Sequence, residues 1–135
     1  MAKVLISPGK YVQGAGEMKK LGEYAQNYGK KALILISKGG YKRIGAMVEK
    51  SFEGKECGYV FDYFNGECSK KEIKRLGEIV KKEACDVVIG IGGGKIFDTA
   101  KAVAYYEKTP VLICPTIAST DAPVSYTHLT LPTIL

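Results

Sequence analysis

The chain has 135 residues, 46% of them hydrophobic and 25% charged, and carries a net charge of +6. That length holds one domain around one core, and the balance is that of an ordinary soluble globular protein. No apolar run approaches a membrane span and residues 1–10 lack a signal-peptide core, so a cytoplasmic protein without a membrane partner is expected.

In chain order, residues 3–7 predict a short strand that stops at the turn signal Ser7-Pro8-Gly9, and residues 11–13 a second brief one. Residues 16–28 place Met18, Leu21, Tyr24 and Ala25 at amphipathic spacing, with Gly29 where a helix C-cap glycine belongs. Residues 32–36 (ALILI) form a continuous apolar run, the pattern of a central strand covered on both faces. A helix over 41–52 aligns Ile44, Met47, Val48 and Phe52, and residues 59–63 return to a strand. Ser69 and Glu72 have capping-box spacing at the start of a helix over 70–83. Residues 87–91 are again a buried strand, 96–106 a helix, and 110–114 (PVLIC) the last strand. Strands alternating with helices argue for an α/β fold, a doubly wound and mostly parallel sheet. Ligands of such sheets bind outside the carboxyl ends of the strands. The predicted cleft therefore gathers Ser37-Lys38, residues 92–95 and residues 115–121.

The chemistry concentrates in VVIGIGGGKIFDTAK, residues 87–101. A strand ends in Gly90, Gly92, Gly93 and Gly94, and a helix follows at once. Glycine lets the backbone approach an anion, and the first helical N–H groups point at it with the positive end of the dipole behind them. Lys95 adds a full charge, so this turn suits a nucleotide pyrophosphate. The competing reading is a tight turn that needs glycine only for its dihedrals. Two familiar motifs are excluded. The P-loop needs Ser or Thr after its lysine, where Ile96 stands, and the G-x-G-x-x-G fingerprint needs glycine where Lys95 stands.

Cys57, Cys68, Cys85 and Cys114 form no C-x-x-C pair and His128 is the single histidine, so reduced, mostly buried thiols and no metal cluster are expected. Lys70, Lys71, Lys74, Arg75, Lys81 and Lys82 surround an apolar stripe of Ile73, Leu76 and Val80. They read as the solvated face of a helix, and no recognition motif points to nucleic acid. Asp98 and Lys101, three apart on a helix, read as a surface pair.

The pieces SPGKYVQG, FNGECSKKEIKRL, GIGGGKIFDTAKAVA and PTIASTDAP closely resemble the start of polyol (glycerol) dehydrogenases. These belong to the metal-dependent, iron-containing type of alcohol dehydrogenase, whose fold is shared with dehydroquinate synthase. The resemblance covers residues 1–123, about a third of such an enzyme, and implies a Rossmann-like NAD-binding domain whose helical C-terminal domain is absent. It implies that Gly93, Gly94 and Lys95 surround the pyrophosphate, that Thr116 and Ser119 hydrogen-bond the cofactor, and that Asp121 holds the substrate hydroxyls. A carboxylate at that edge can accept from two hydroxyls. As an alternative, Asp121 is a turn partner for its loop. The complete enzyme is implied to oxidise glycerol to dihydroxyacetone with hydride transfer to NAD, using zinc or another divalent metal, as a homo-oligomer. No catalytic residue and no metal ligand falls in residues 1–123, and the chain alone is expected to be inactive.

Two departures stand out. The family usually carries an aspartate at the end of the second long strand, where it binds the adenine ribose. Here Ser37 is followed by Lys38, which predicts a cofactor-contacting serine and weakened discrimination between NAD and NADP. Beyond Pro123 the family pattern stops. Residues 124–129, VSYTHL, match the translation of a transposon-end adapter used in sequencing libraries, so residues 124–135 are expected to be a non-native tail. Two other functions stay open: a stand-alone nucleotide-binding module without catalysis, and a dehydrogenase of glycerol-1-phosphate or another alcohol.

Overall fold

The computed structural model describes residues 9–11 and 18–115. Among these residues nine elements alternate: β1 (Gly9–Tyr11), α1 (Leu21–Ala25), β2 (Lys31–Ile36), α2 (Lys38–Ser51), β3 (Gly58–Tyr63), α3 (Lys70–Glu83), β4 (Val87–Gly92), α4 (Gly94–Glu107) and β5 (Val111–Pro115). The strands form one five-stranded sheet in the order β1-β5-β4-β2-β3. Every pairing is parallel.

The apolar runs make the sheet central because their residues alternate between two cores. Ala32, Ile34, Ile36, Val87, Ile89, Ile91, Leu112 and Cys114 face Leu21 and Ala25 of α1 and Val48 of α2. Leu33, Leu35, Val88, Val111 and Ile113 face Leu76 and Val80 of α3 and Phe97, Ala100 and Val103 of α4. Residues 33–36 are each no more than 1% exposed. Burying one such side chain contributes about 1.5–3 kcal/mol relative to leaving it in water. The doubly wound α/β architecture read from the sequence is the one observed.

Several boundaries differ from the sequence reading. The strand expected over 3–7 lies outside the described residues; of the brief strand expected over 11–13, Tyr11 falls in the strand Gly9–Tyr11 and residues 12 and 13 lie outside the described residues. Of the helix expected over 16–28, residues 16 and 17 lie outside the described residues, and Leu21–Ala25 is helical but ends before 28, because Asn27 and Tyr28 donate three residues back, to the carbonyls of Tyr24 and Ala25, and tighten the chain into a turn. Gly29 is no left-handed cap. Its φ is not positive, and an added Cβ would run into the Asp86 carboxylate. That carboxylate accepts from the backbone N–H of Lys30 at 2.8 Å and of Lys31 at 2.9 Å, so it closes the start of β2 onto the start of β4.

α2 and α4 begin earlier than expected. Ser37 Oγ accepts from Gly40 N at 2.9 Å, which starts α2 at Lys38. Ser69 Oγ caps α3 by accepting from Glu72 N at 3.1 Å, half of the expected capping box. The Glu72 carboxylate does not return the bond. It is 2% exposed and instead accepts from Asn65 N at 3.0 Å and from Arg75 Nη2 at 2.8 Å. Arg75 also reaches Asp62 at 2.8 Å and the Tyr63 carbonyl at 3.1 Å. Arg75 is therefore more than part of a wet face, since it ties the end of β3 to the first turn of α3. The guanidinium beside it, with the Asn65 N–H, holds the Glu72 carboxyl below the usual range against the opposing effect of burial.

Asp98 and Lys101 are not a surface pair. Asp98 is exposed, but the Lys101 side chain is 7% exposed and their charged atoms stand 3.9 Å apart. Burial pulls the Lys101 ammonium down from its ordinary value. Apolar positions bracket residue 101 in the sequence, yet tertiary packing covers the lysine as well.

Cys57, Cys85 and Cys114 are buried and free, and Cys68 is exposed. Burial pushes the thiols of Cys57 and Cys85 up to about 11 and raises Cys114 as well. Thiolate is the reactive form. Iodoacetamide at neutral pH is therefore expected to label Cys68 first, with the other thiols labelled only on unfolding, as mass spectrometry of timed digests will show.

Candidate cofactor site

The site lies where the winding of the sheet reverses. From β2 the chain moves outward to β3, then returns to the other side of β2 as β4 and continues to β5. The carboxyl ends of β2 and β4 are thus neighbours, with Ile36 beside Ile91, and Gly92 pairs with Pro115 at the end of β5. Such a reversal leaves a crevice between strand ends, the place where open α/β sheets bind ligands. Ser37-Lys38 and residues 92–95 meet at this edge, as the sequence predicts. Thr116, Ser119 and Asp121 lie outside the described residues.

The four glycines of the turn separate into two kinds. At Gly90 an added Cβ would stand 2.9 Å from Ala100 Cβ, so glycine lets α4 sit close on β4. Gly92 has φ 148°, and an added Cβ would stand 2.7 Å from Ile96 Cδ1. These two glycines serve the turn itself. Gly93 and Gly94 have no such reason. Gly93 is extended (φ −119°, ψ −163°), Gly94 opens the helix, and an added Cβ on either meets nothing within 4 Å among the described residues. Any residue fits there sterically.

Gly93 is also the N-cap of α4, where Ser, Asp or Asn would satisfy an orphan N–H. It supplies no side chain, so α4 starts without a side-chain cap. The Cβ directions of Gly93 and Gly94 are thus open among the described residues, at the positive end of a 14-residue helix. A helix start of this kind suits an anion.

Lys95 is exposed and 3.1 Å from Glu67, which is exposed too. Sequence reasoning missed Glu67, 28 residues away, because nothing local couples a turn residue to a distant helix start. The pairing holds the ammonium toward the loop before α3 and partly offsets its charge. Ser37 serves first as the α2 cap. Its hydroxyl proton has no acceptor among the described residues, which leaves it able to donate at the edge of the crevice. The Lys38 ammonium stands 5.8 Å from the Tyr63 ring centroid at the end of β3. Grooves occur elsewhere, one of about 340 Å³ between α3 and α4 lined by Ile73, Lys74 and Tyr106 among others.

Among the described residues no group of three or more His, Cys, Asp or Glu could hold a metal ion. None of the described helices is long and apolar enough to cross a membrane.

A family profile of iron-containing alcohol dehydrogenases matches residues 8–130. The chain belongs to the iron-containing alcohol dehydrogenase family. Within that family, it is 48% identical over 132 residues to a glycerol dehydrogenase of Thermotoga maritima, an alignment covering 93% of this chain and 34% of that protein. It is 45% identical over 125 residues to the glycerol dehydrogenase of Citrobacter freundii, with the same coverage. A solved structure of a probable glycerol dehydrogenase from Sinorhizobium meliloti superposes with a TM-score of 0.72 at 38% identity, covering 90% of this chain and 33% of that one. The chain thus spans about a third of the length of the family members it matches. The family read from the glycine turn and PTIASTDAP is confirmed.

Proposed function

We propose that the chain is the cofactor-binding part of an NAD-dependent glycerol dehydrogenase. The observation that carries this is the pair Gly93 and Gly94. Among the described residues they are required neither by dihedral angle nor by a neighbour, and they stand at the start of α4 at the winding reversal. Glycerol dehydrogenases among the relatives make a polyol the favoured substrate class.

In this reading the N–H groups at the start of α4 hold the pyrophosphate, Lys95 adds charge at its rim, and Ser37 donates to a ribose hydroxyl. Thr116, Ser119 and Asp121 complete the cofactor and substrate contacts from the segment after β5. The bound nicotinamide supplies the hydride acceptor for oxidation of glycerol to dihydroxyacetone. What these residues contribute is binding and orientation, because fixing the cofactor leaves less entropy to lose as the reacting atoms meet. The described residues do not fit a metal site. We assign the divalent ion, zinc or another, to the remainder of the complete enzyme, along with oligomer contacts. We read residues 124–135 as non-native, a reading that resequencing the source locus tests by whether the tail recurs.

Calorimetric titration of the purified protein with NAD tests the site. Lys95 is exposed and paired, so its charge is screened and shared. Lys95→Ala is expected to weaken NAD binding by about three- to tenfold, the range of a partly exposed charge-assisted contact. Glu67→Gln, which releases the ammonium, is expected to strengthen it. Unchanged affinity in both variants would remove Lys95 from the site.

A further inference from the structure

The start of α2 carries a charge arrangement that the NAD reading leaves unexplained. Residues 37–43 read SKGGYKR. Lys38, Lys42 and Arg43 are exposed within the first turns of α2, and no acidic residue stands in the first turn. Cations at the positive end of a helix dipole are unfavourable, so the arrangement costs stability. Arg43 also reaches back toward the strand end. Its Nη1 stands 3.6 Å from where a Cβ on Gly39 would lie. Lys38 is held over the Tyr63 ring at the same edge of the sheet. Among the described residues neither Lys38 nor Arg43 has a carboxylate partner. The carboxylates that come near this edge are already engaged, Asp62 with Arg75 and Glu67 with Lys95.

The placement gives these cations a ligand. β2 and β4 are adjacent, so a dinucleotide whose pyrophosphate rests on Gly93 and Gly94 lays its adenosine half toward the end of β2. An acid at that strand end would bind the 2′-hydroxyl and repel a 2′-phosphate, whereas a nearby guanidinium accommodates the phosphate. The chain has Ser37 and no acid there. We infer that Lys38 and Arg43 at the carboxyl end of β2 form a receptor for the 2′-phosphate of NADP, so that the protein takes the phosphorylated dinucleotide at least as readily as NAD. This rests on the cofactor reading above and extends it to a choice of cofactor. Arg43 supplies a planar fork suited to a phosphate, and Lys38 a point charge beside it.

Parallel calorimetric titrations of the purified protein with NAD and NADP test the inference, using the wild type and the Lys38→Ala, Arg43→Ala and Ser37→Asp variants. NADP is expected to bind the wild type no more weakly than NAD, with a preference that falls as salt rises. Each alanine variant is expected to lose about tenfold in NADP affinity while NAD affinity stays within about twofold. Ser37→Asp is expected to reverse the preference toward NAD. If NAD binds and NADP binds tenfold more weakly, or if the alanine variants weaken both cofactors equally, the 2′-phosphate receptor is wrong and the glycine-turn site stands. If neither cofactor binds a folded protein, both readings fall together.

Discussion

Gly94→Asp is expected to leave the protein folded and to weaken NAD binding by about two orders of magnitude. Position 94 opens α4, its φ is not positive, and an added Cβ meets nothing within 4 Å among the described residues. An acid in the first turn of a helix is favourable, by about 0.3–1 kcal/mol, so thermal stability should hold or rise slightly. The same carboxylate would face the bound pyrophosphate. Two unit charges about 4 Å apart at an effective dielectric near 20 repel by about 4 kcal/mol. A hundredfold loss corresponds to about 2.7 kcal/mol, comfortably within that repulsion. Titration gives the affinity and circular dichroism the fold. If the variant binds NAD as the wild type does, the glycine turn is only a turn.

Gly22→Ala is expected to produce the largest loss of stability, although it touches no part of the cofactor site. An added Cβ there would collide with the Ser51 carbonyl oxygen and stand 2.7 Å from Phe52 Cα. Both are backbone atoms at the end of α2, so neither can swing aside as a side-chain tip would. Gly22 N also donates to Ser51 Oγ at 3.0 Å, and that hydroxyl donates to the Val48 carbonyl at 2.6 Å. Opening α1 from α2 would break this buried chain and loosen Leu21 and Ala25 over the sheet. Overpacking of this kind costs about 3 kcal/mol, which lowers the melting temperature by roughly 10 °C for a domain near this size. A shift below about 2 °C would mean that α1 is free to move away.

The parts legible in the sequence are those fixed by local pattern. The run ALILI declares β2 because every one of its side chains is covered, and α3 was delimited correctly by Ser69 and by its apolar stripe. The glycine turn from β4 into α4 is visible for the same reason, since four glycines at a strand end have few uses. What stayed hidden depends on partners far along the chain. Gly29 looks like a cap until Asp86 is placed beside it. The Lys95–Glu67 pair joins the start of α4 to the loop before α3, which no local rule connects, and the cover over Lys101 comes from tertiary packing. Within the glycine turn the sequence could not distinguish the glycines that serve packing, Gly90 and Gly92, from those that leave room, Gly93 and Gly94.

The most direct test of the cofactor site is a titration of the nitrogen-15-labelled protein with NAD, followed by amide shifts in two-dimensional NMR spectra. The largest shifts are expected at Gly93, Gly94, Lys95 and Ile96, with a second group at Ser37, Lys38 and Gly39 across the crevice. Shifts centred instead on the groove between α3 and α4, around Ile73 and Tyr106, or no shifts in a well-dispersed spectrum, would contradict a cofactor site at the start of α4.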